Sequence, residues 1–236
     1  MRWRRSARGA VLLLLVLVAS ISVDAVVHDL TFRFVVSHGV RLAANGFTQL
    51  GTAWPGVGVL VALGVHGHRV GDAALLRSAA GGVLGIALAA VAGQVAKQVT
   101  CWARPGLLDG WGVGPVGETG GAERRAALNF FNWPCLTDSR HHGFPSGHTT
   151  TAFAVAAALS HAIPSGRRLW VGAAAGVGTS SVLLNAHFLS DVLGGALIGW
   201  WAGQAGQALV RRLGVPLGRS GSMASPVDPA AGSPRA

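Results

Sequence analysis

Long apolar runs separated by polar segments of different lengths are the feature that most restricts what this chain can fold into. They lie at about residues 10–27, 52–65, 78–97, 149–163, 169–186 and 192–210. A helix needs about 20 mostly apolar residues to cross the hydrocarbon core of a bilayer. Half of the residues are hydrophobic and only 12% are charged, which is too apolar for an ordinary soluble domain of this size. The pattern predicts an all-α integral membrane protein with a bundle of six transmembrane helices.

The ends of this bundle are predicted as well. Residues 1–212 form the membrane domain, and residues 213–236 are rich in Pro, Gly and Ser, which is typical of a disordered tail. The first apolar run can be read in two ways. Val23-Asp24-Ala25 offers residues that a signal peptidase accepts, so the run can be a cleaved signal. A retained first span continuing to about Val27 is favoured, because further spans follow.

The basic residues predict an orientation for the bundle. They stand at the N-terminus (Arg2, Arg4, Arg5, Arg8), in two turns (Arg69, Arg77 and Arg167, Arg168) and after the last run (Arg211, Arg212). Short cytoplasmic segments carry an excess of Lys and Arg, so both chain termini and the tail are predicted to be cytoplasmic. The net charge of +10 is divided among these turns rather than gathered on one face, which argues against nucleic-acid binding. The Ala/Gly/Arg-rich composition with few lysines favours a bacterial inner membrane.

Polar side chains gather at the run ends that this orientation places outside. Lys97 and Arg104 follow the third run, Ser146 and His148 precede the fourth, and His187 and Asp191 lie between the fifth and sixth. Ionisable residues at a membrane boundary are candidates for a functional site. The alternative is that they only mark helix ends by snorkelling to the interface. Residues 28–51 mix apolar and basic side chains and are predicted to lie along the outer membrane surface.

The second of these groups predicts an anion-binding helix start. Pro145 and Gly147 interrupt regular structure, so the chain there should be a loop that runs into a helix. The first backbone N–H groups of such a helix are unpaired and attract anions. Ser146 adds a hydroxyl donor, and His148 adds a group that exchanges a proton near neutral pH.

Three motifs in this region resemble a family signature. They are Lys97 with Arg104-Pro105 after six intervening residues, then Pro145-Ser146-Gly147-His148, then His187-Phe188-Leu189-Ser190-Asp191. Together, and in this order, they are similar to the signature of the type 2 phosphatidic acid phosphatases. These are integral-membrane lipid phosphate phosphatases related in their site to vanadium haloperoxidases and soluble bacterial acid phosphatases. The resemblance implies a hydrolase of lipid phosphates or diphosphates that needs no metal or other cofactor and has its site at the extracytoplasmic membrane face.

The resemblance also implies a role for each residue. His187 is the nucleophile that forms a phosphohistidine, Asp191 orients it, and His148 is the general acid and base. The phosphate-binding residues are Lys97, Arg104, Ser146 and Gly147. The chemistry of the side chains agrees, because fixed positive donors stabilise the charge that moves among phosphoryl oxygens during transfer. Four residues apart, His187 and Asp191 would share one face of a helix.

One position departs from the family pattern. The third motif normally carries an Arg six residues before its His, and this chain has Ser181 there. Losing one charge-assisted contact costs about 1.5 to 3 kcal/mol, which slows a phosphatase without abolishing it. Arg140, in the loop beside Ser146, is a candidate replacement. Because of this departure, a second function stays open: a phosphate-lipid binder or carrier without turnover. A third possible function is that of a structural or transport bundle in which the motifs are coincidental.

Two smaller questions concern the segment between the first two motifs. Cys101 and Cys135 form a disulfide in an oxidising compartment or remain two thiols. His141 and His142 have no tight ligand spacing with the other histidines, so no metal site is predicted.

Undecaprenyl diphosphate, phosphatidic acid, phosphatidylglycerol phosphate and lipid A all remain substrates compatible with the motifs, and the oligomeric state is left open.

Overall fold

A computed structural model describes residues 2–34, 38–105 and 141–214, with side chains for 15–31, 39–105 and 141–214. The described residues form seven α-helices and no β-strand, so the predicted all-α fold is confirmed for this part of the chain. The helices are Arg2–Phe34 (α1), His38–Gln49 (α2), Ala53–Val70 (α3), Ala73–Thr100 (α4), Gly147–Ala162 (α5), Arg167–Leu183 (α6) and Leu189–Arg212 (α7). A 3-10 turn, Pro164–Gly166, joins α5 to α6.

The helices follow the predicted runs in order, with different boundaries. The segment 28–51 is not one surface element, because its first seven residues continue α1 and His38–Gln49 forms the separate helix α2. The polar turn after the second run is shorter than predicted, since only Gly71 and Asp72 separate α3 from α4. Gly71 takes a left-handed conformation with φ 71°, and the Asp72 carboxylate accepts hydrogen bonds from the first N–H groups of α4.

Membrane crossing is supported most directly for α4. By length and hydropathy it is the one described helix able to cross a bilayer alone, and α2 and α3 together qualify as one element bent by 49°. The helices α5 and α6 have 16 and 17 residues, which is short for a span. The six-span topology therefore stays a prediction.

Three helices form the centre of the bundle. α4, α5 and α7 pack against one another, while α3 lies on α4, α6 on α5, α2 on α6 and α1 on α7. The core between them is built mainly of alanine and leucine. Small residues let the backbones approach closely: a Cβ added to Gly85 would stand 2.8 Å from the Cα of Gly203. This close packing fixes the positions of the helix ends, where the motif residues lie.

Candidate active site

Two hydrogen bonds join the segment that carries the first motif, at the end of α4, to the loop that carries the second motif, before α5. The backbone N–H of Gly143 donates to the carbonyl of Trp102 at 2.7 Å, and the Thr100 hydroxyl donates to the carbonyl of Phe144 at 3.3 Å. A Cβ added to Gly143 would stand 2.8 Å from the Ala103 carbonyl oxygen, so a larger residue would push the loops apart. The chain that leads into α5 therefore lies directly on the chain that leaves α4.

A backbone contact joins the second motif to the third. Ser146 precedes α5 with an extended backbone, as predicted for a loop that enters a helix, and its N–H donates to the carbonyl of Asp191 at 3.0 Å. The Ser146 hydroxyl accepts a hydrogen bond from the Thr149 hydroxyl at 3.0 Å. Gly195 allows this approach, because a Cβ there would stand 2.7 Å from the Ser146 carbonyl oxygen. The start of α5 is thus held against the first turns of α7.

One cavity of about 350 Å³ collects residues from all three motifs. Its lining includes Lys97, Arg104, Gly147, His148 and His187. The position of Gly147 brings the Lys97 ammonium close to the start of α5, since a Cβ at Gly147 would stand 3.4 Å from Lys97 Nζ. Of the described residues that line the cavity, two have basic side chains, Lys97 and Arg104, and none is a carboxylate. The cavity is therefore suited to an anion.

His187 and Asp191 meet, but not on one face of a helix as predicted. α7 begins at Leu189, so His187 lies in the preceding loop, where Asn185 takes a left-handed conformation with φ 57°. His187 Nδ1 lies 3.4 Å from Asp191 Oδ2, and both side chains are buried. Asp191 Oδ2 also accepts a hydrogen bond from the N–H of Phe188 at 2.9 Å. Because Nδ1 faces the carboxylate and His187 lines the cavity, Nε2 is the ring nitrogen available to a ligand.

The contact between the two side chains is looser than a well-formed hydrogen bond. The 3.4 Å separation exceeds the usual range for N–H···O bonds. Within the described part of the chain, His187 Nδ1 and Asp191 Oδ1 have no hydrogen-bond partner. A catalytic hydrogen bond of this kind commonly tightens when substrate binds.

Burial and neighbouring charges shift the pKa values of two residues of the cavity, Arg104 and His148. Burial lowers the pKa of Arg104, and the negative charge of Asp191 opposes this decrease. The guanidinium stays protonated. His148 directly precedes the predicted span at 149–163. Burial, and then the charges of His187, Arg104 and Lys97, lower the pKa of His148 from its ordinary 6.5. An entering anion offsets the positive charges and favours the protonated form of this imidazole.

Other predicted residues lie away from the cavity or outside the described residues. Ser146 is fully buried and does not line the cavity, so its part in phosphate binding stays a prediction. Ser181, at the position of the family Arg, is also buried, and its hydroxyl donates to the carbonyl of Val177 at 3.0 Å. Its candidate replacement Arg140 lies outside the described residues.

The remaining sequence candidates do not contribute to the cavity. His141 and His142 are half-buried in the loop before α5 and are not part of its lining. Among the described residues, no group of three His, Cys, Asp or Glu side chains is suited to a metal ion. Cys101 is buried, and the described residues contain no free cysteine. Cys135 lies outside the described residues, so the disulfide between the two stays a prediction.

The junction between α2 and α3 was missed by sequence reasoning. Gly51 and Thr52 line the cavity, and a Cβ added to Gly51 would stand 2.8 Å from both Cβ and the carbonyl oxygen of His148. Gln94 also lines the cavity, and this polar residue three positions before Lys97 in an apolar run was a signal for it. Nothing in the sequence alone connects Gly51 to His148.

The comparisons with known proteins identify the family. The model of the PAP2 superfamily matches residues 79–213, which is more than half of the chain, so this chain belongs to the PAP2 superfamily. The resemblance based on the three motifs is thereby confirmed.

Three proteins named as phosphatases are similar to this chain. It is 37% identical over 68 residues to the lipid A 1-phosphatase of Rhizobium johnstonii and 40% identical over 58 residues to that of Rhizobium etli. These matches cover 29% and 25% of this chain, and 28% and 25% of the relatives, so each aligns over about a quarter of its length. A transmembrane PAP2 type phosphatidylglycerolphosphate phosphatase from Bacillus subtilis has the same fold, with a TM-score of 0.55 and 20% identity over 86% of this chain and 96% of that one.

Proposed function

We propose that this protein is a membrane lipid phosphate phosphatase that works through a phosphohistidine on His187. The observation that carries the proposal is the convergence of Lys97, Arg104, Gly147 and His148 with His187 in one cationic cavity, with Asp191 behind the His187 ring. The family and the names of the relatives support a phosphoric ester or anhydride hydrolase of lipids.

In the first step the phosphoryl group moves to the enzyme. Lys97, Arg104 and the N–H of Gly147 hold the non-bridging oxygens and stabilise their charge. His187 Nε2 attacks phosphorus as the bond from phosphorus to the leaving oxygen breaks. His148 gives its proton to that oxygen, and Asp191 stabilises the positive charge that develops on the His187 ring.

In the second step water clears the phosphohistidine. Neutral His148 takes a proton from the water as its oxygen attacks phosphorus, and the bond between phosphorus and His187 Nε2 breaks. Inorganic phosphate leaves, His148 is again protonated, and His187 is again a free base. No metal or other cofactor is proposed, because Lys97 and Arg104 already supply positive charge at the phosphate.

The substrate is proposed to reach this site from the bilayer. Small residues at 53, 89, 90 and 93 line the cavity on the side of α3 and α4, and a lipid chain is proposed to enter on this side. Undecaprenyl diphosphate, phosphatidic acid, phosphatidylglycerol phosphate and lipid A are the candidate substrates.

The proposed topology has six spans, cytoplasmic termini, a cytoplasmic tail and an outward-facing site in a bacterial inner membrane. The positions of the basic turns support it. Single introduced cysteines test this orientation. An impermeant thiol reagent should label Asn185→Cys in intact spheroplasts and Ser165→Cys only after lysis, and the reverse pattern would reject the topology.

Phosphate release by the purified protein tests the function. The wild type should release inorganic phosphate from at least one of the four lipids, and His187→Ala should reduce the rate to background. His161→Ala is the matched control, because His161 shares a hydrogen bond with Gln204 at 2.7 Å and does not line the cavity. Rapid quenching should also trap the wild type with one added phosphoryl group on His187.

The same experiment decides between this function and a phosphate-lipid binder or carrier. Ser181 in place of the family Arg favours that second candidate, because one fixed charge is absent from the third motif. Lipid binding by the wild type without phosphate release would support the carrier. Equal release by the wild type and His187→Ala would reject the enzyme mechanism.

A further inference from the structure

A carboxylate from α1 is buried at the start of α7. Asp24 is 1% exposed, although it lies in an apolar helix. Its Oδ1 accepts a hydrogen bond from the N–H of Ser190 at 3.0 Å, and its Oδ2 accepts one from the Ser190 hydroxyl at 2.5 Å. A buried charge needs such partners, because desolvation otherwise makes it very unfavourable. The two partners lie 166 residues apart in the chain.

The two hydrogen bonds hold the first turn of α7. The N–H of Ser190 is one of the four at a helix start that have no partner within the helix, and a carboxylate is favourable at this positive end. Asp191 is the next residue in the same turn. Its carboxylate accepts from the N–H of Phe188 and faces His187. A shift of this turn would therefore move the carboxylate that faces the nucleophile.

A second contact from α1 involves Phe188, the residue directly before α7. His28 lies one turn after Asp24 and is buried, and its ring packs at a tilt against the ring of Phe188, with centroids 5.9 Å apart. α1 thus contacts Phe188 and Ser190, two of the three residues that directly precede Asp191. Neither Asp24 nor His28 lines the cavity.

We infer that Asp24 is a positioning residue, which fixes the first turn of α7 through Ser190 so that Asp191 holds the His187 ring in its attacking orientation. The inference rests on the proposed function. It also requires that α1 is retained, because cleavage of a signal peptide after Ala25 would remove Asp24.

Turnover of Asp24→Asn tests the inference. The variant keeps one oxygen acceptor of similar shape and loses the charge, and kcat per folded molecule should fall about tenfold with KM unchanged, since the substrate-binding groups stay in place. Ser190→Ala should lower kcat in the same way, and the double variant should be no worse than Asp24→Asn alone, because both changes break one connection.

Asp72→Asn is the matched control. Asp72 also accepts two hydrogen bonds at a helix start, that of α4, and it does not line the cavity. It should lower thermal stability and leave kcat unchanged. If Asp24→Asn behaves like this control, with lower stability and unchanged kcat, Asp24 is only a helix cap and the inference is wrong.

A spectroscopic readout separates this failure from failure of the proposed function. In protein labelled with ¹⁵N-histidine and assigned with His187→Gln, the His187 ring resonances should move in Asp24→Asn and stay in place in Asp72→Asn. Movement in a protein that releases no phosphate would reject the function and leave the positioning contact standing. Unmoved resonances in an active protein would reject the inference alone.

The mass of the chain isolated from membranes gives an independent check. It should include residues 1–25 in the active protein. An active chain that begins at Val26 would overturn the inference directly.

Discussion

The two ends of the helical bundle differ in the burial and the pairing of their polar side chains. The site end carries Lys97, His148 and His187, and the opposite end carries Asp72, His161 and Arg167. At the opposite end the polar groups are paired: the Gln207 amide donates to the Ser78 carbonyl at 2.8 Å, and Asp72 caps α4. The Arg167 guanidinium lies over the Trp200 ring, 5.4 Å from its centroid.

At the site end several buried polar atoms lack such partners. Arg104 Nε, His187 Nδ1 and Asp191 Oδ1 are buried with no hydrogen bond inside the described ranges. Unpaired buried polar atoms are rare and unfavourable, and in a folded protein they commonly mark a functional site. The site end is therefore organised for a polar ligand, whereas the opposite end is organised for stability.

Neutralising one arginine at each end of the bundle should give the largest difference in activity between the two ends. Arg104→Gln should lower kcat/KM about 10- to 100-fold, because it removes a charge-assisted contact to phosphate worth roughly 1.5 to 3 kcal/mol. Arg167→Gln should leave the rate unchanged, since Arg167 contacts Trp200 and lies outside the cavity. Steady-state phosphate release measures both variants. Similar losses at the two ends would contradict the division between them.

Adding one methyl group at Gly51 should give a smaller difference in activity than neutralising the arginines. In Gly51→Ala the new Cβ would stand 2.6 Å from Val177 Cγ1 and 2.8 Å from His148, so we expect His148 to shift and kcat to fall about tenfold. Overpacking should also lower the free energy of unfolding by about 1 to 3 kcal/mol.

Gly172→Ala is the control for this substitution, because a Cβ there would meet no atom within 4 Å. It should keep full activity and unfold at the same or a slightly higher temperature. Thermal unfolding and phosphate release in the same detergent distinguish the two glycines. A fully active Gly51→Ala would mean that the α2–α3 junction does not support the general acid.

The smallest expected effect concerns the titration of His148. In the free protein its pKa should lie below 6.5, because burial and the neighbouring positive charges disfavour the imidazolium form. Lys97→Met removes one of these charges and should raise the pKa of His148, and bound inorganic phosphate should raise it in the wild type. NMR titration of the labelled histidine measures each value. A pKa at or above 6.5 in the free wild type would contradict the cationic character of the cavity.

Much of the fold and family was predictable because it depends on local pattern and side-chain chemistry. The apolar runs anticipated six of the seven described helices in their order, and the order of Lys97, His148 and His187 was enough to recognise the family. The helix boundaries were less accurate. Capping at Gly71 and Asp72 and the continuation of α1 to Phe34 depend on single residues and packing rather than on the length of an apolar run.

The site illustrates the same limit. The sequence correctly brought His187 and Asp191 into contact, but for the wrong reason, because a loop before α7 rather than a helical turn places the imidazole. It gave no signal that Gly51 lies against His148 or that Ser181 is turned into the helix packing.

Neighbouring residues and their chemistry were enough to predict six of the seven described helices, the family and the side chains that carry charge at the helix ends. Packing was needed to place Gly51 against His148 and Asp24 against the first turn of α7, which contains Asp191. Such contacts join residues far apart in the chain, and they exist because small residues let α4, α5 and α7 pack closely and leave α1 resting on the start of α7.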